Sequence, residues 1–192
     1  MLQRGAGPQS QSELGQSGQP GRSGSSSSLD LQSGRNGPRV AETAVPGEQY
    51  LIFTLLDREF AIQAEFIQGV ERLTEITVIP NVASWVKGVI NLRGSISSVV
   101  DLRAFLDIEL LPYDPRTRLL SVKYNEMLIC LAVDNVSEMV PIQLKAIDRN
   151  PRSIPQWVAS YCQGLAMVGK RQVILLDAAR LLFADKMHHY LV

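Results

Sequence analysis

The residues best able to do chemistry lie in one apolar stretch, GVINLRGSISSVVDLR, from Gly88 to Arg103. It alternates as a strand does, breaks at Asn91 to Gly94, and sets Arg93, Asp101 and Arg103 into the apolar pattern. Arginines beside a turn can bind phosphate, serve a reaction or mark a contact surface, since each presents fixed donors in a planar fork. A reaction needs more than donors. The two histidines, His188 and His189, are adjacent and close to the C-terminus, so the body of the chain offers no histidine as general base or metal ligand. Ser95, Ser97 and Ser98 have no base in sequence reach and read as strand surface. Cys130 and Cys162 lie inside apolar stretches without CxxC or metal spacing, which fits reduced core thiols in a cytosolic protein. No GxSxG, Walker-type loop or GxGxxG follows a strand. No catalytic residue, cofactor site or metal site is therefore assigned, and the chain is expected not to be an enzyme.

The elements that position these residues are short. From Tyr50 onward about ten apolar segments alternate with turns: YLIFTLL, EFAIQ, FIQGVERL, WVKGVINL, SISSVVDL, RLLSVKY, MLICLAV, VSEMVPI, YCQGLAMV and RQVILLD. Helical periodicity is confined to DLRAFL and DAARLLF, each closing a strand pair. Those two pieces expose a duplication. Shifted by 76 positions and without a gap, WVKGVINLRGSISSVVDLRAFL lies on YCQGLAMVGKRQVILLDAARLL, so that Gly88 meets Gly164 and Asp101 meets Asp177. Both aspartates stand where a strand yields to a helical turn and read as N-caps. Arg93 meets Gly169, so the repeat does not require arginine at that turn and something specific to the first copy does. Because open sheet edges invite aggregation, the fold expected is mainly all-β: two pseudo-symmetric five-stranded β-barrels, one per half, with short helical pieces and a groove between them.

Composition bounds the partners. The chain of 192 residues is 45% hydrophobic and 20% charged, with 19 basic and 19 acidic side chains that cancel, so no excess field gathers nucleic acid or anionic lipid. A five-stranded barrel can also bind oligonucleotides through aromatics interleaved with basic residues, and a small nucleic-acid-binding module is the alternative from another class. Here Phe53 and Phe60 fall within apolar alternation and the basic residues are scattered. Residues 1–47 hold nine of the fourteen glycines, the run Ser25 to Ser28 and no aromatic, and are expected to form a disordered tail ahead of one domain over 48–192. Within that tail Leu29 to Leu31 reads as spacer or as a short docking motif. The longest apolar run, MLICLAV, is far short of the roughly 20 residues that cross a bilayer. Without an apolar h-region after the first residues the protein is expected in the cytoplasm, with no direct membrane insertion.

With hairpin, duplication and missing catalytic groups together, the sequence resembles the CheW family, the coupling proteins of bacterial chemosensory arrays, from about Tyr50 to Phe183. NLRG at Asn91 to Gly94 carries the resemblance with VVDLR at Val99 to Arg103, VDNVSEMV at Val133 to Val140, and YCQGL and VILLD in the second half. The resemblance implies two five-stranded barrels around a groove and an adaptor without cofactor. It would join the cytoplasmic tips of chemoreceptors to the regulatory domain of a CheA-like histidine kinase, recruited to membrane-associated arrays. The family's receptor-facing groove maps onto Ile67, Gly69, Arg93, Val136 and Met139, although alternation alone also fits Val136 and Met139 as core. The outer barrel faces would carry the kinase contact. Two departures stand out: relatives commonly carry glutamate where this chain has Gly69, and proline where it has Ser98. Either Arg93 lies unpaired until a partner arrives, or receptor preference has changed. The long tail suggests a specialised system, such as pilus-driven surface motility or phototaxis.

Overall fold

The computed structural model describes residues 47–188, without the side chain of His188. The expected tail, apart from Gly47, and the Leu29 to Leu31 triplet lie outside the described residues, as does His189. Among the described residues ten strands form: β1 Glu48–Leu55, β2 Arg58–Gln63, β3 Ile67–Arg72, β4 Val86–Leu92, β5 Ser95–Asp101, β6 Arg118–Tyr124, β7 Met127–Val133, β8 Asn135–Ile142, β9 Cys162–Val168 and β10 Arg171–Leu176. Short helices follow or join them: α1 Leu102–Phe105, α2 Gln156–Ala159, α3 Ala178–Leu182 and α4 Asp185–His188. The strands make two five-stranded sheets, one in the order β8-β1-β2-β10-β9 and the other β3-β6-β7-β5-β4. We call these sheet A and sheet B.

Two expectations need correction. The halves do not each build their own sheet: sheet A takes β1 and β2 from the first half and β8 to β10 from the second, and sheet B reciprocates. Replacing β1 to β5 by β6 to β10, and the reverse, turns one strand order into the other, so the pseudo-symmetry acts through strand exchange. Nor are the sheets closed barrels, because the outer strands of each, β8 with β9 and β3 with β4, do not pair. Two of those edges, β4 and β9, are partly covered by the chain. The segment after β3 crosses to the far edge and makes one two-bond bridge between Thr77 and Val89, both at 2.9 Å; Asp148 and Leu165 do the same beside β9, both at 2.8 Å. Each bridge pairs one residue of an edge strand and covers part of that edge. It also explains the paired glycines. A Cβ on Gly88, whose φ is +138°, would lie 2.1 Å from the Thr77 carbonyl oxygen, and one on Gly164 would lie 2.5 Å from that of Asp148.

Both faces of the central strands are covered, which is why they read as nearly unbroken apolar runs rather than alternating ones. One face of each sheet joins a shared core: Leu51, Phe53, Phe60 and Ile174 from sheet A with Val86, Val100, Leu120 and Ile129 from sheet B. The other faces bury separately, Tyr50, Ile52, Ala61 and Val173 in sheet A, Ile90, Val99, Leu119 and Cys130 in sheet B. Residues of the outer strands, Ile142 of β8 and Ala166 of β9, share the sheet A core, so the sheet curls until its edges approach. Each curled sheet therefore has a mouth where side chains, not a ladder, span the gap.

Candidate functional site

Arg93 and Gly94 form a two-residue hairpin between β4 and β5 with φ of +51° and +91°, the conformation of a type I′ turn. The Asn91 side chain locks it by accepting from the Gly94 amide at 2.8 Å. The equivalent residue in the second half, Gly169, has φ +61°. An arginine held where glycine is the low-cost choice gives up about 1 kcal/mol, and such outliers concentrate where function retains them. Arg93 is 82% exposed and its Nη2 donates to Glu71 Oε1 at 3.1 Å. The expectation that it lies unpaired is thus overturned: a carboxylate two residues beyond Gly69 on β3 reaches it. Gly69, Glu71 and Arg93 line one small cavity of about 120 Å³ at the mouth of sheet B.

The other assigned residues sit on two edge strands. In a regular strand Val136 and Met139, three apart, would face opposite sides. Here β8 carries an extra residue in that interval, so Val136 lies opposite Phe53 and Met139 opposite Leu51, both of which face the shared core. The same irregularity recurs in β3: Ile67 lies opposite Val122 and Val70 opposite Leu120. Ile67 maps to Val136 and Val70 to Met139, a shift of 69 positions that superposes the two ladders. Ile67 and Val136 pack half-buried on the shared core, while Val70 and Met139 are 41% and 55% exposed. The structure therefore yields two equivalent apolar strips bordering one core. Val70 was missed by sequence reasoning, and the shift of 69 was the signal that could have found it. Val136 and Met139 do not line the Arg93 cavity.

Asp101 and Arg103 belong to neither strip. Asp101 caps α1 by accepting from the Arg103 and Ala104 amides at 3.0 and 3.3 Å, and its second oxygen accepts from the Tyr113 hydroxyl at 2.8 Å. Arg103, 3% exposed, has its Nε 3.3 Å from Asp134 and 3.9 Å from Asp101, and its Nη2 donates to the Leu111 carbonyl at 2.6 Å. Burial, then the Asp101 charge, pushes the Tyr113 hydroxyl well above its ordinary pKa, so it remains a donor. Two of the three charged residues of the opening stretch thus tie the connection between the halves to the core, and Arg93 alone faces outward. Asp177 caps α3 through the Arg180 amide at 3.0 Å. Burial likewise raises both cysteine thiols, which disfavours the thiolate a nucleophile requires.

Among the described residues, no group of three or more His, Cys, Asp and Glu side chains could hold a metal ion, and no helix is long and apolar enough to cross a membrane. A family model described as the CheW-like domain matches residues 49–186. A chemotaxis protein CheW of Klebsiella aerogenes is 30% identical over 141 residues, covering 73% of this chain and 85% of the relative. One from Bacillus subtilis is 24% identical over 132 residues, covering 69% and 85%. The protein PilI of Pseudomonas aeruginosa is 41% identical over 63 residues, 33% of this chain and 35% of that one. The crystal structure of scaffolding protein TtCheW from Thermoanaerobacter tengcongensis aligns with a TM-score of 0.69 at 23% identity, over 76% of this chain and 99% of that one.

Proposed function

Because the chain belongs to the CheW-like domain family, we propose that it is a non-enzymatic adaptor coupling chemoreceptors to a CheA-like histidine kinase in a signalling array. It works by holding two proteins, so its chemistry is that of surfaces. The receptor side is the pair of apolar strips, Ile67 with Val70 and Val136 with Met139, together with Arg93 at the adjoining mouth. A helical receptor tip laid on such strips buries its apolar face and is oriented by the fixed donors of the guanidinium. The observation that carries this assignment is the strained Arg93 turn, whose equivalent in the second half is built with Gly169. The kinase regulatory domain binds elsewhere on the two sheets, and the complex forms in the cytoplasm at membrane-associated arrays.

The test is reconstitution. The purified full chain is added to a soluble receptor-tip fragment and a CheA-like kinase, and ternary complex and autophosphorylation are followed. The expected result is a complex that requires all three components, no ATP turnover by this chain alone, and loss of the receptor arm with the kinase arm kept in Arg93→Ala. ATP turnover that follows the chain through purification would overturn the adaptor reading, and equal loss of both arms would overturn the assignment of Arg93. The nucleic-acid alternative has no support among the relatives.

A further inference from the structure

The two mouths related by the internal repeat are filled differently. In sheet A, Arg171 is clamped between Glu59 at 2.8 Å and Glu138 at 2.6 Å, the latter contact spanning β10 and β8, which are not ladder neighbours. Carried back through the repeat, Arg171 falls on Ser95 by the shift of 76, and Glu59 and Glu138 fall on Leu128 and Gly69 by the shift of 69. All three lack the clamp's charges, and all three line the cavity of about 120 Å³ at the mouth of sheet B. That cavity is the volume of a clamp that the first half does not make. Arg93 enters it from the turn instead, with one carboxylate, Glu71, where Arg171 has two.

We propose that this cavity is the seat of a single acidic side chain, a glutamate or aspartate, supplied by the protein that docks on the adjoining apolar strip. The inference rests on the adaptor reading above and names what the receptor side selects. Three features point to a carboxylate on a short stem. Leu92 and Leu128 form an apolar wall for the methylenes, while Arg93 and the exposed Ser95 hydroxyl offer polar contacts for the head. Sheet A itself shows that one arginine of this fold accommodates two carboxylates at such a mouth. The entrance is open because residue 69 has no side chain: within 4 Å, a Cβ there would meet only the flexible Glu71 Oε1, at 3.2 Å. The volume admits a side chain and excludes a helix, so the seat adds register and charge selection to a docking surface whose area comes from the strips.

The probe is a soluble receptor cytoplasmic-tip fragment titrated against the full chain, with each glutamate and aspartate of the fragment changed in turn to its amide. One such change is expected to weaken binding by about tenfold to the wild-type chain and by less than about twofold to Arg93→Ala. Gly69→Glu, which fills the seat from within, should weaken the unaltered fragment by a similar factor, whereas Gly69→Ala should not. The seat is overturned if no acidic residue of the fragment couples to Arg93, or if Gly69→Glu binds like wild type. Met139→Ser and Val70→Ser separate the two claims. If they weaken binding while the acid scan shows no coupling, the receptor strips stand and the seat falls; if they too leave binding unchanged, the receptor-side assignment falls with it.

Discussion

Asp101 and Asp177 hold the same place in the two halves and end in different surroundings. Each caps a helix, and each donates its own amide to the carbonyl of the aromatic residue that precedes the neighbouring strand, Trp85 at 2.8 Å and Tyr161 at 2.9 Å. Beyond that shared backbone device they part. The Asp101 side chain is 5% exposed and meets Tyr113 and Arg103; that of Asp177 is 30% exposed and meets Arg180 at 3.5 Å on the surface. The mouths diverge in the same way, one closed by Arg171 and two carboxylates, the other left open under Arg93. Backbone hydrogen bonds at a strand-to-helix junction must be met wherever the junction recurs, so duplication preserves them. The side-chain shell need only be satisfied as a whole, and it is there that the halves differ.

The sharpest way to break this comparison is at the caps. Asp101→Ala should cost about 3 kcal/mol, because it removes a cap and also one carboxylate from a buried arginine, whereas Asp177→Ala should cost about 1 kcal/mol. Urea unfolding of the two variants measures both. Equal losses would mean that the buried network around Arg103 contributes nothing beyond the cap.

The edge bridges come next. Gly88→Ala forces a methyl group against the Thr77 carbonyl in a backbone conformation unsuited to it, and should cost about 2 kcal/mol or more, while Gly69→Ala should stay within about 0.5 kcal/mol. Thermal unfolding distinguishes them, and a tolerant Gly88 would show that the edge segment is loosely held.

The strips test whether the halves remain equivalent on the proposed receptor side. Val70→Ser and Met139→Ser should each weaken receptor-tip binding by about 1 kcal/mol and change stability little, since both residues are about half exposed. Isothermal titration that finds only one of them sensitive would make the receptor contact one-sided.

The smallest stability effect is expected at Arg93. Arg93→Gly relieves a strained φ and gives up one exposed ion pair, so stability should remain within about 0.5 kcal/mol of wild type. Receptor binding should nevertheless fall. A large loss of stability instead would make Arg93 a brace of the mouth, as Arg171 is in sheet A.

Much of this molecule could be read from its residues alone. The shift of 76 identified the hairpins β4–β5 and β9–β10, the caps Asp101 and Asp177, and the turn at Arg93, because each depends on neighbours a few positions apart. The ten strands were legible for the same reason. Strand partners were not: β1 and β2 leave their own half to pair with β8 and β10, a choice made between segments of similar apolar pattern far apart in the chain. Glu71 as the partner of Arg93, and Arg171 as the clamp of the other mouth, stand two places from where alignment would seek them. The bulges that turn Val136 and Met139, and likewise Ile67 and Val70, to one side are invisible to a period-of-two reading. Local periodicity and turn chemistry were set by the sequence by itself. The pairing across halves, and with it the open cavity beside Gly69, was decided by tertiary structure, because burial and hydrogen-bond satisfaction are properties of the assembled sheets rather than of any one strand.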